Sequence, residues 1–232
     1  MADVQAGERA AQPRACPLLA ELFCAGVATA LLEGSAQREA QWPLLGDESL
    51  AVEQAGDRRR ADFAAGRACA RAALAQLGVA PVAIPVNDDR SPRWPDGYTG
   101  SITHTCSCAA AVAAPLRSVR ALGLDAENCV DFDGTLVADV CTLRERAWLD
   151  TLAPAQRNAA ATLLFSAKEA FYKCQYALTR RWLEFHEVTL EANHGSLQLR
   201  LAPADLLRLP WRGRYAQHGD CVYTGFSLPT SG

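Results

Sequence analysis

The pair Asp125 and Glu127, in the segment GLDAE, is the strongest sign of chemistry in the sequence. The segment ends an apolar run over residues 119–127 that reads as a β-strand, so both carboxylates should point to the same side. Two like charges held together repel each other unless a cation lies between them. Oxygen ligands favour a hard cation, and magnesium leaves coordination positions open for phosphate and water. The segment therefore predicts a magnesium site, with two solvated acids at a strand end as the alternative interpretation.

A third carboxylate, Glu169, lies in the segment FSAKEAFYK over residues 165–173, which has the apolar spacing of a helix. One interpretation places Lys168, Glu169 and Lys173 around one ligand, with Glu169 joining the metal or taking a proton. The other is structural. Ser166-x-x-Glu169 is a capping-box pattern, and Glu169 with Lys173 is a favourable i,i+4 ion pair. The residues alone leave both interpretations open.

Five arginines lie between residues 58 and 71 of a chain whose net charge is −3. On a helix, Arg60, Arg67 and Arg71 share one face, and Arg59 lies near the helix start. Guanidinium groups suit phosphate because they bond it in a two-pronged way and keep their charge. The segment predicts an anion-binding helix, and a solvated basic face is the structural alternative.

The segment GSITH over residues 100–104 combines a glycine with three polar side chains. Gly100 permits close backbone approach to a ligand. Ser101 and Thr103 offer hydroxyls, and His104 can donate a hydrogen bond to a phosphate oxygen. We expect a ligand-binding segment here, although an ordinary strand with a satisfied histidine would have the same residues.

Zinc is a separate alternative for this region, because His104, Cys106 and Cys108 alternate onto one face of an extended segment. The H-x-C-x-C spacing matches no common structural zinc site, and a further ligand is not obvious. The spacing therefore argues against zinc.

The segment DFDGT, with Asp131 and Asp133, resembles the nucleophile loop of haloacid-dehalogenase-type phosphatases. That loop should follow a hydrophobic strand, whereas the preceding residues AENCV make a poor one. A motif without its structural context is weak, so a phosphohydrolase remains only an alternative.

Composition excludes several classes of protein. The chain has 232 residues, is 50% hydrophobic and 21% charged, so it can bury a sizeable core and is not expected to be disordered. The small net charge gives no support for nucleic-acid binding. No apolar run reaches the ~18 residues of a membrane span, and no signal-peptide pattern is present. Nine cysteines without a CxxC pair indicate reduced thiols, so we expect a cytoplasmic protein.

The elements that must position these residues form two halves in the sequence. Apolar spacing predicts helices over 15–32, 58–78, 142–152 and 154–177, and strands near 82–86, 102–114, 119–127, 186–191, 196–201, 211–217 and 220–228. Residues 87–100 are expected to be a loop, and 128–140 irregular. Each half runs helix first and strands second, which predicts an α+β fold. We expect a flexible N-terminus over 1–14, an N-terminal half over 15–118 and a C-terminal half over 119–232.

Together the four segments resemble the 4′-phosphopantetheinyl transferase superfamily in its surfactin-type branch, and most of all the enterobactin synthase component D group. The stretches that carry the resemblance are RRRADFAAGRACARAALAQLG, SPRWPDGYTGSITHT, ALGLDAE and LLFSAKEAFYKCQYALTRRWLEF. They cover roughly residues 55–127 and 160–185, in the family's order. The pairing of GxDxE with FSxKExxxK is specific. The resemblance implies two similar α/β halves around a pseudo-twofold axis, with coenzyme A between them.

The resemblance also implies a role for each matching residue. The implied magnesium ligands are Asp125, Glu127 and Glu169, and Glu169 is also the implied general base. The implied contacts to coenzyme A are Arg59 and Arg67 at the adenosine 3′-phosphate, His104, Lys168 and Lys173 at the phosphates with Ser101 and Thr103 close by, and Arg90 before the PRWP turn. Glu169, Lys173 and His104 form the implied catalytic set. Related enzymes often carry a further lysine near Arg90, where this chain has Val86, Asp88 and Asp89.

The implied reaction is transfer of the 4′-phosphopantetheine arm of coenzyme A to a serine of an apo acyl, peptidyl or aryl carrier protein, with release of 3′,5′-ADP. It would depend on magnesium, with manganese able to replace it, and serve siderophore, nonribosomal peptide or polyketide biosynthesis. We expect a monomer. A metal-bound water is the rival base to Glu169. A non-catalytic coenzyme A-binding or carrier-docking module is the remaining alternative, but it predicts a missing catalytic acid.

Overall fold

The computed structural model describes residues 12–34, 42–129 and 134–230, which form a mixed α+β fold. Short 3-10 helices lie at Gly46–Val52 and Phe185–Glu187. The α-helices are α1 (Pro17–Ala20), α2 (Asp57–Gln76), α3 (Gly134–Val140), α4 (Leu143–Leu149), α5 (Pro154–Thr179) and α6 (Ala204–Leu207). The strands are β1 (Ala28–Glu33), β2 (Tyr98–His104), β3 (Cys108–Pro115), β4 (Val119–Asn128), β5 (Thr189–Asn193), β6 (Ser196–Leu201), β7 (Arg212–His218) and β8 (Cys221–Pro229).

The N-terminal half is a three-stranded antiparallel sheet, in the order β1-β3-β2, with the long helix α2 packed on it. Strand β3 is buried along its whole length although it reads CAAAVAAP. Because side chains alternate along a strand, Ala109, Ala111 and Ala113 face α2, whereas Ala110 and Val112 face the core shared with β4. Small side chains on both faces let a helix and a second layer approach β3 closely.

The C-terminal half repeats this arrangement of a helix on a sheet. Its five strands run in the order β4-β8-β7-β6-β5, and α5 lies across β4 and β8. The approach is closest at Gly123, where an added Cβ would come within 1.9 Å of the Ala170 carbonyl oxygen of α5. Phe171 and Phe226 fill the core between helix and sheet, with their ring centroids 5.3 Å apart.

Strands β2 and β4 lie side by side where the two sheets meet, and side-chain hydroxyls join them. The Leu124 amide donates to Ser101 Oγ at 3.0 Å, and the Ala126 amide donates to Thr103 Oγ1 at 3.3 Å. Both hydroxyl residues are at least 95% buried. The two hydroxyls therefore satisfy backbone amides of β4 that would otherwise be buried without a partner.

The α+β prediction is confirmed, as are the helices over 58–78, 142–152 and 154–177 and the strands over 102–114 and 119–127, with shifts at their ends. All four strands predicted in the tail are present too. The helix predicted over 15–32 is mostly wrong, because only the short α1 forms and it ends at Ala20. After Gly26, which has a left-handed φ of 88°, residues 28–33 pair with β3 as strand β1. The strand predicted over 82–86 is reduced to a single bridge at Val86, and α3 was missed.

The predicted flexible N-terminus lies mostly outside the described residues. The first sheet ends at Pro115 and the second begins at Val119. Whether the chain also has a domain boundary at 118/119 stays a prediction.

We expect Gly123→Ala to destabilise the fold by about 1–3 kcal/mol, the usual cost of overpacking a filled core. The added methyl group would meet helix backbone, which cannot rotate away as a flexible side chain can. The measurement is the free energy of unfolding in urea. Gly134→Ala is the matched control, because an added Cβ there meets open space. Equal stability of the two variants would contradict the close contact between α5 and β4.

Candidate active site

One large cleft, with a volume of ≈ 1370 Å³, lies between the two halves. Its walls come from α2, the loop before β2, strands β2 and β4, and α5. Most of the predicted site residues line it: Arg59, Arg67, Arg90, Ser101, Thr103, His104, Asp125, Glu127, Glu169 and Lys173. The cleft therefore brings together basic groups from the N-terminal half with acidic groups from the C-terminal half.

Asp125 lies at the centre of a buried hydrogen-bond network in the cleft, and it is 3% exposed. Its Oδ1 accepts hydrogen bonds from Thr103 Oγ1 at 3.1 Å and from Lys173 Nζ at 2.6 Å. Its Oδ2 accepts from Ser166 Oγ at 2.8 Å. One carboxylate thus joins β2, β4 and α5, and charged hydrogen bonds of this kind are the strong ones.

Glu127 and Glu169 line the cleft beside Asp125, and each holds its proton more tightly than usual. Burial, with the neighbouring charges of Asp125 and Glu169, raises the pKa of Glu127 to about 7 even though Lys173 opposes the shift. Burial and Asp125 also raise the pKa of Glu169, again against the effect of Lys173. Burial is the largest cause of both shifts. At Glu127 repulsion from Asp125 and Glu169 adds to burial, whereas at Glu169 the effect of Lys173 exceeds that of Asp125.

This repulsion is the observation that fits a cation to the site. Among the described residues, no group of three His, Cys, Asp or Glu side chains lies close enough to hold a metal ion by itself. Magnesium is usually bound through one or two carboxylates together with substrate phosphates and water, so it does not require such a cage. An all-oxygen donor set with mutual repulsion suits that mode of binding.

Lys173 and His104 lie on opposite sides of the cleft. Burial lowers the pKa of Lys173, but the carboxylates of Asp125, Glu169 and Glu127 together outweigh burial, so the pKa stands above its ordinary value. The guanidinium of Arg59 lies 3.2 Å from His104 Nε2 and can only donate, so Nε2 accepts and the ring proton sits on Nδ1. Burial, followed by Arg59 and Lys173, lowers the pKa of His104 against the effect of nearby acids, including Asp62.

Arg67 is held in place by a buried network whose members lie far apart in the sequence and were not predicted. Its Nε donates to the Ile84 carbonyl oxygen at 2.6 Å, and its guanidinium lies 4.1 Å above the ring centroid of Phe63. The fully buried Glu48 accepts from the Ile84 amide at 2.7 Å and pairs with Arg71 at 2.8 Å. Arg71 is therefore occupied by Glu48, and of the arginines predicted to share a face, Arg67 is the one that lines the cleft.

Lys168 does not reach the cleft, contrary to the expectation that it contacts phosphate. Its ammonium is buried, forms an ion pair of 2.7 Å with Glu145, and donates to the carbonyl oxygens of Val140 and Phe185. Burial lowers the pKa of Lys168, while Glu145 opposes the shift. Removing one partner of such a buried pair costs about 3–5 kcal/mol, so this lysine holds the fold together.

The capping-box interpretation of Ser166 is also wrong, because Ser166 lies in the interior of α5 and its hydroxyl donates to Asp125. Ser101 and Thr103 line the cleft, but their hydroxyls are bonded to β4. Gly100 is required for packing, since an added Cβ would come within 2.4 Å of the Trp94 ring.

Sequence reasoning missed an aromatic wall of the cleft formed by Tyr172, Tyr176 and Trp182. The rings of Tyr172 and Tyr176 stack with centroids 5.4 Å apart, and Trp182 meets Tyr172 edge-on at 5.3 Å. The signal was present, because Tyr172 and Tyr176 follow Glu169 at helical spacing on the same face.

The two alternative sites receive no support. Cys108 is buried in the core between the sheets, and Cys106 donates a hydrogen bond to Asn128, so the three residues of the zinc alternative do not converge on one point. The phosphatase-like Asp131 and Asp133 lie outside the described residues.

Comparison with known proteins identifies the family. The model of the 4′-phosphopantetheinyl transferase N-terminal domain matches residues 47–114, and that of the 4′-phosphopantetheinyl transferase superfamily matches residues 121–217. The 4′-phosphopantetheinyl transferase Npt of Nocardia iowensis is 40% identical over 151 residues, which are 64% of this chain and 67% of Npt. Svp of Streptomyces mobaraensis is 37% identical over 80% of this chain and 78% of Svp.

The chain is also similar to a further curated relative and to a solved structure. Enterobactin synthase component D of Salmonella typhi is 35% identical over 77% of this chain and 76% of that protein. The holo-(acyl-carrier-protein) synthase of Bacillus anthracis, solved in complex with CoA (3′,5′-ADP), overlaps 49% of this chain and 99% of its own, with 16% identity and a TM-score of 0.41. On the family models and the curated relatives, the chain belongs to the 4′-phosphopantetheinyl transferase superfamily and is an enzyme that transfers phosphopantetheine to carrier proteins.

Proposed function

We propose that this enzyme binds coenzyme A in the cleft between its halves and transfers the phosphopantetheine arm to a carrier-protein serine in a magnesium-dependent reaction that releases 3′,5′-ADP. The observation that carries the proposal is the set of groups that face one another in the cleft. Arg59, Arg67 and His104 line the N-terminal wall, and Asp125, Glu127 and Glu169 line the C-terminal wall, where burial and neighbouring carboxylates raise the pKa of Glu127 and Glu169. A substrate with separated phosphate groups and a divalent cation would satisfy both walls.

The N-terminal wall supports recognition of the adenosine 3′-phosphate. Arg67 offers a guanidinium that is fixed by Ile84 and Phe63 before any ligand arrives, so little side-chain freedom is lost on binding. Arg59 and His104 lie together on the same wall, with the histidine neutral. Burial lowers the pKa of Arg67 to about 10, which still leaves it charged at neutral pH.

The C-terminal wall supports a magnesium ion at Asp125, Glu127 and Glu169. When bound, the ion would neutralise the carboxylates and draw charge from the pyrophosphate of the substrate. Lys168 is left out of the proposed set, because Glu145 holds it elsewhere. Lys173 stays in it, as a cation beside Asp125 that faces the cleft.

In the proposed reaction, Glu169 accepts the proton of the carrier serine, directly or through a water molecule. Its raised pKa brings it nearer to neutrality, where a general base works best. The serine oxygen attacks the β-phosphorus of coenzyme A, the bond to the bridging oxygen breaks, and 3′,5′-ADP leaves. Lys173 stabilises charge on the departing phosphate, and positioning with charge stabilisation supplies most of the rate.

The finer biological assignment is also part of the proposal. We infer carrier domains of siderophore, nonribosomal peptide or polyketide synthesis as partners, because the relatives include enterobactin synthase component D. All nine cysteines are free thiols, which supports a reducing cytoplasm. Among the described residues, none of the helices is long and apolar enough to cross a membrane. We expect the active form to be a monomer, because the cleft is lined by both halves of one chain.

The test is incubation with coenzyme A, magnesium and an apo carrier protein, followed by mass spectrometry of the carrier. We expect a gain of one phosphopantetheine, its loss in chelator, and its recovery with magnesium or manganese. Glu169→Gln should lower turnover by ~10²–10⁴-fold, the usual contribution of a general base, while coenzyme A still binds. Full activity in chelator would contradict the metal assignment, and wild-type turnover of the Gln variant would contradict the base.

Glu127 should give the metal-free enzyme a pH dependence of stability. Because its pKa of about 7 in the folded protein exceeds the ordinary 4.5, the folded state holds the proton more tightly between these values. The contribution of the protonated Glu127 to the free energy of unfolding is complete at low pH and is lost as pH rises through 7. The measurement is the melting temperature of the wild type and of Glu127→Gln in chelator. The wild-type value minus the Glu127→Gln value should therefore fall from pH 6 to pH 8. A difference that does not change with pH would contradict the raised pKa of Glu127 in the buried acidic wall.

A further inference from the structure

Asp89, in the loop before β2, makes a contact across the mouth of the cleft. Its Oδ2 accepts hydrogen bonds from Arg180 Nη1 at 2.9 Å and from Tyr176 Oη at 3.2 Å. Ser91 Oγ donates to Asp89 Oδ1 at 2.5 Å and accepts from Arg180 Nη1 at 3.2 Å. The loop of the N-terminal half is thus tied to the C-terminal end of α5.

The backbone is strained at both ends of this contact. Arg90, between the two tied residues, has φ 67°, and Arg180, the C-cap residue of α5, has φ 56°. Residues other than glycine rarely adopt this left-handed conformation, and it persists where surrounding contacts impose it, often at functional sites. Apart from His194 in the β5–β6 turn, these are the non-glycine residues with positive φ among those described.

The contact also lies on the catalytic face of α5. Glu169, Lys173, Tyr176 and Arg180 follow one another at helical spacing and all line the cleft. Hydrogen bonds from Ser91, supported by Tyr176 and Arg180, hold the pKa of Asp89 below its ordinary value, so the carboxylate stays charged. A loop held at this point fixes Arg90 and the width of the cleft relative to the catalytic side chains.

We propose that Asp89, Tyr176 and Arg180 form a latch between the two halves that positions Arg90 and the cleft wall for coenzyme A. They are positioning residues, because they act through the loop and not on the reacting atoms. The inference rests on the proposed binding of coenzyme A in this cleft. The latch is part of substrate binding, so its loss should raise the KM for coenzyme A and leave kcat nearly unchanged.

The test is a double-mutant cycle with Asp89→Asn and Arg180→Asn, measured as KM and kcat for coenzyme A at a saturating carrier concentration. Asparagine tolerates the left-handed conformation at position 180, so the helix end is retained. Each single variant should raise KM about threefold to tenfold, the range for a charged hydrogen bond partly open to solvent, and change kcat less than about twofold. Because both substitutions remove the same interaction, the KM of the double variant should be no higher than that of the single variant with the higher KM.

Arg181→Asn is the matched control, because Arg181 has similar exposure but pairs with Glu187 and Asp205 instead. It should behave as wild type. An unchanged KM in both latch variants, additive losses in the double variant, or a fall in kcat alone would overturn the latch. Tyr176→Phe is a second test that serves if a latch variant folds poorly, because it removes one hydrogen-bond donor without changing the loop or the helix end. It should raise the KM for coenzyme A by a smaller factor than the latch variants do.

Arg67→Ala separates failure of the latch from failure of the proposed function. It should weaken binding of coenzyme A far more than binding of 3′-dephospho-coenzyme A. If it does so while the latch variants match wild type, only the latch is wrong. If Arg67→Ala has no effect on either ligand, the cleft is not the coenzyme site, and both proposals fail.

Discussion

The arrangement of this enzyme depends on one buried carboxylate, Asp125, that accepts hydrogen bonds from side chains of both halves. A charge that is 3% exposed is tolerable only with good partners, and it receives a hydroxyl from β2, a hydroxyl from the interior of α5 and the ammonium of Lys173. These bonds fix the distance between the sheets and the rotation of α5. Rotation of α5 in turn determines where Glu169 and Lys173 face the cleft.

The close packing around Asp125 has a cost that explains the electrostatics of the site. Gly123 lets α5 approach β4, so Glu169 is drawn toward Asp125 and Glu127 until their charges repel. One lysine cannot balance three carboxylates in a partly buried cleft. The excess of negative charge on this wall suits the proposed binding of magnesium together with phosphate. On the opposite wall, Glu48 balances Arg71 and fixes Ile84, which leaves Arg67 facing the cleft.

Most of the residues predicted for the site line one cleft because they lie in short motifs with regular spacing. Asp125 and Glu127 share a strand face, and Glu169 and Lys173 share a helix face, so local geometry brought each pair together. Predictions failed where the deciding partner is distant in sequence. Nothing near Lys168 indicates that Glu145 will bury it, and residues 28–33 read as helix because alanine and leucine favour helices until pairing with β3 overrides that preference. Ser166 fits a capping box but is in mid-helix, where its hydroxyl is used by Asp125.

The central claim is that the carboxylates of the C-terminal wall and the pyrophosphate of coenzyme A share one divalent cation in the cleft. The most direct measurement is a crystal structure of the enzyme with coenzyme A and manganese, with the metal located by its anomalous scattering. The account predicts a peak within coordination distance of a carboxylate oxygen of Asp125, Glu127 or Glu169 and of a pyrophosphate oxygen, with the 3′-phosphate at Arg67. A pyrophosphate bound away from these carboxylates, with no metal between them, would contradict it.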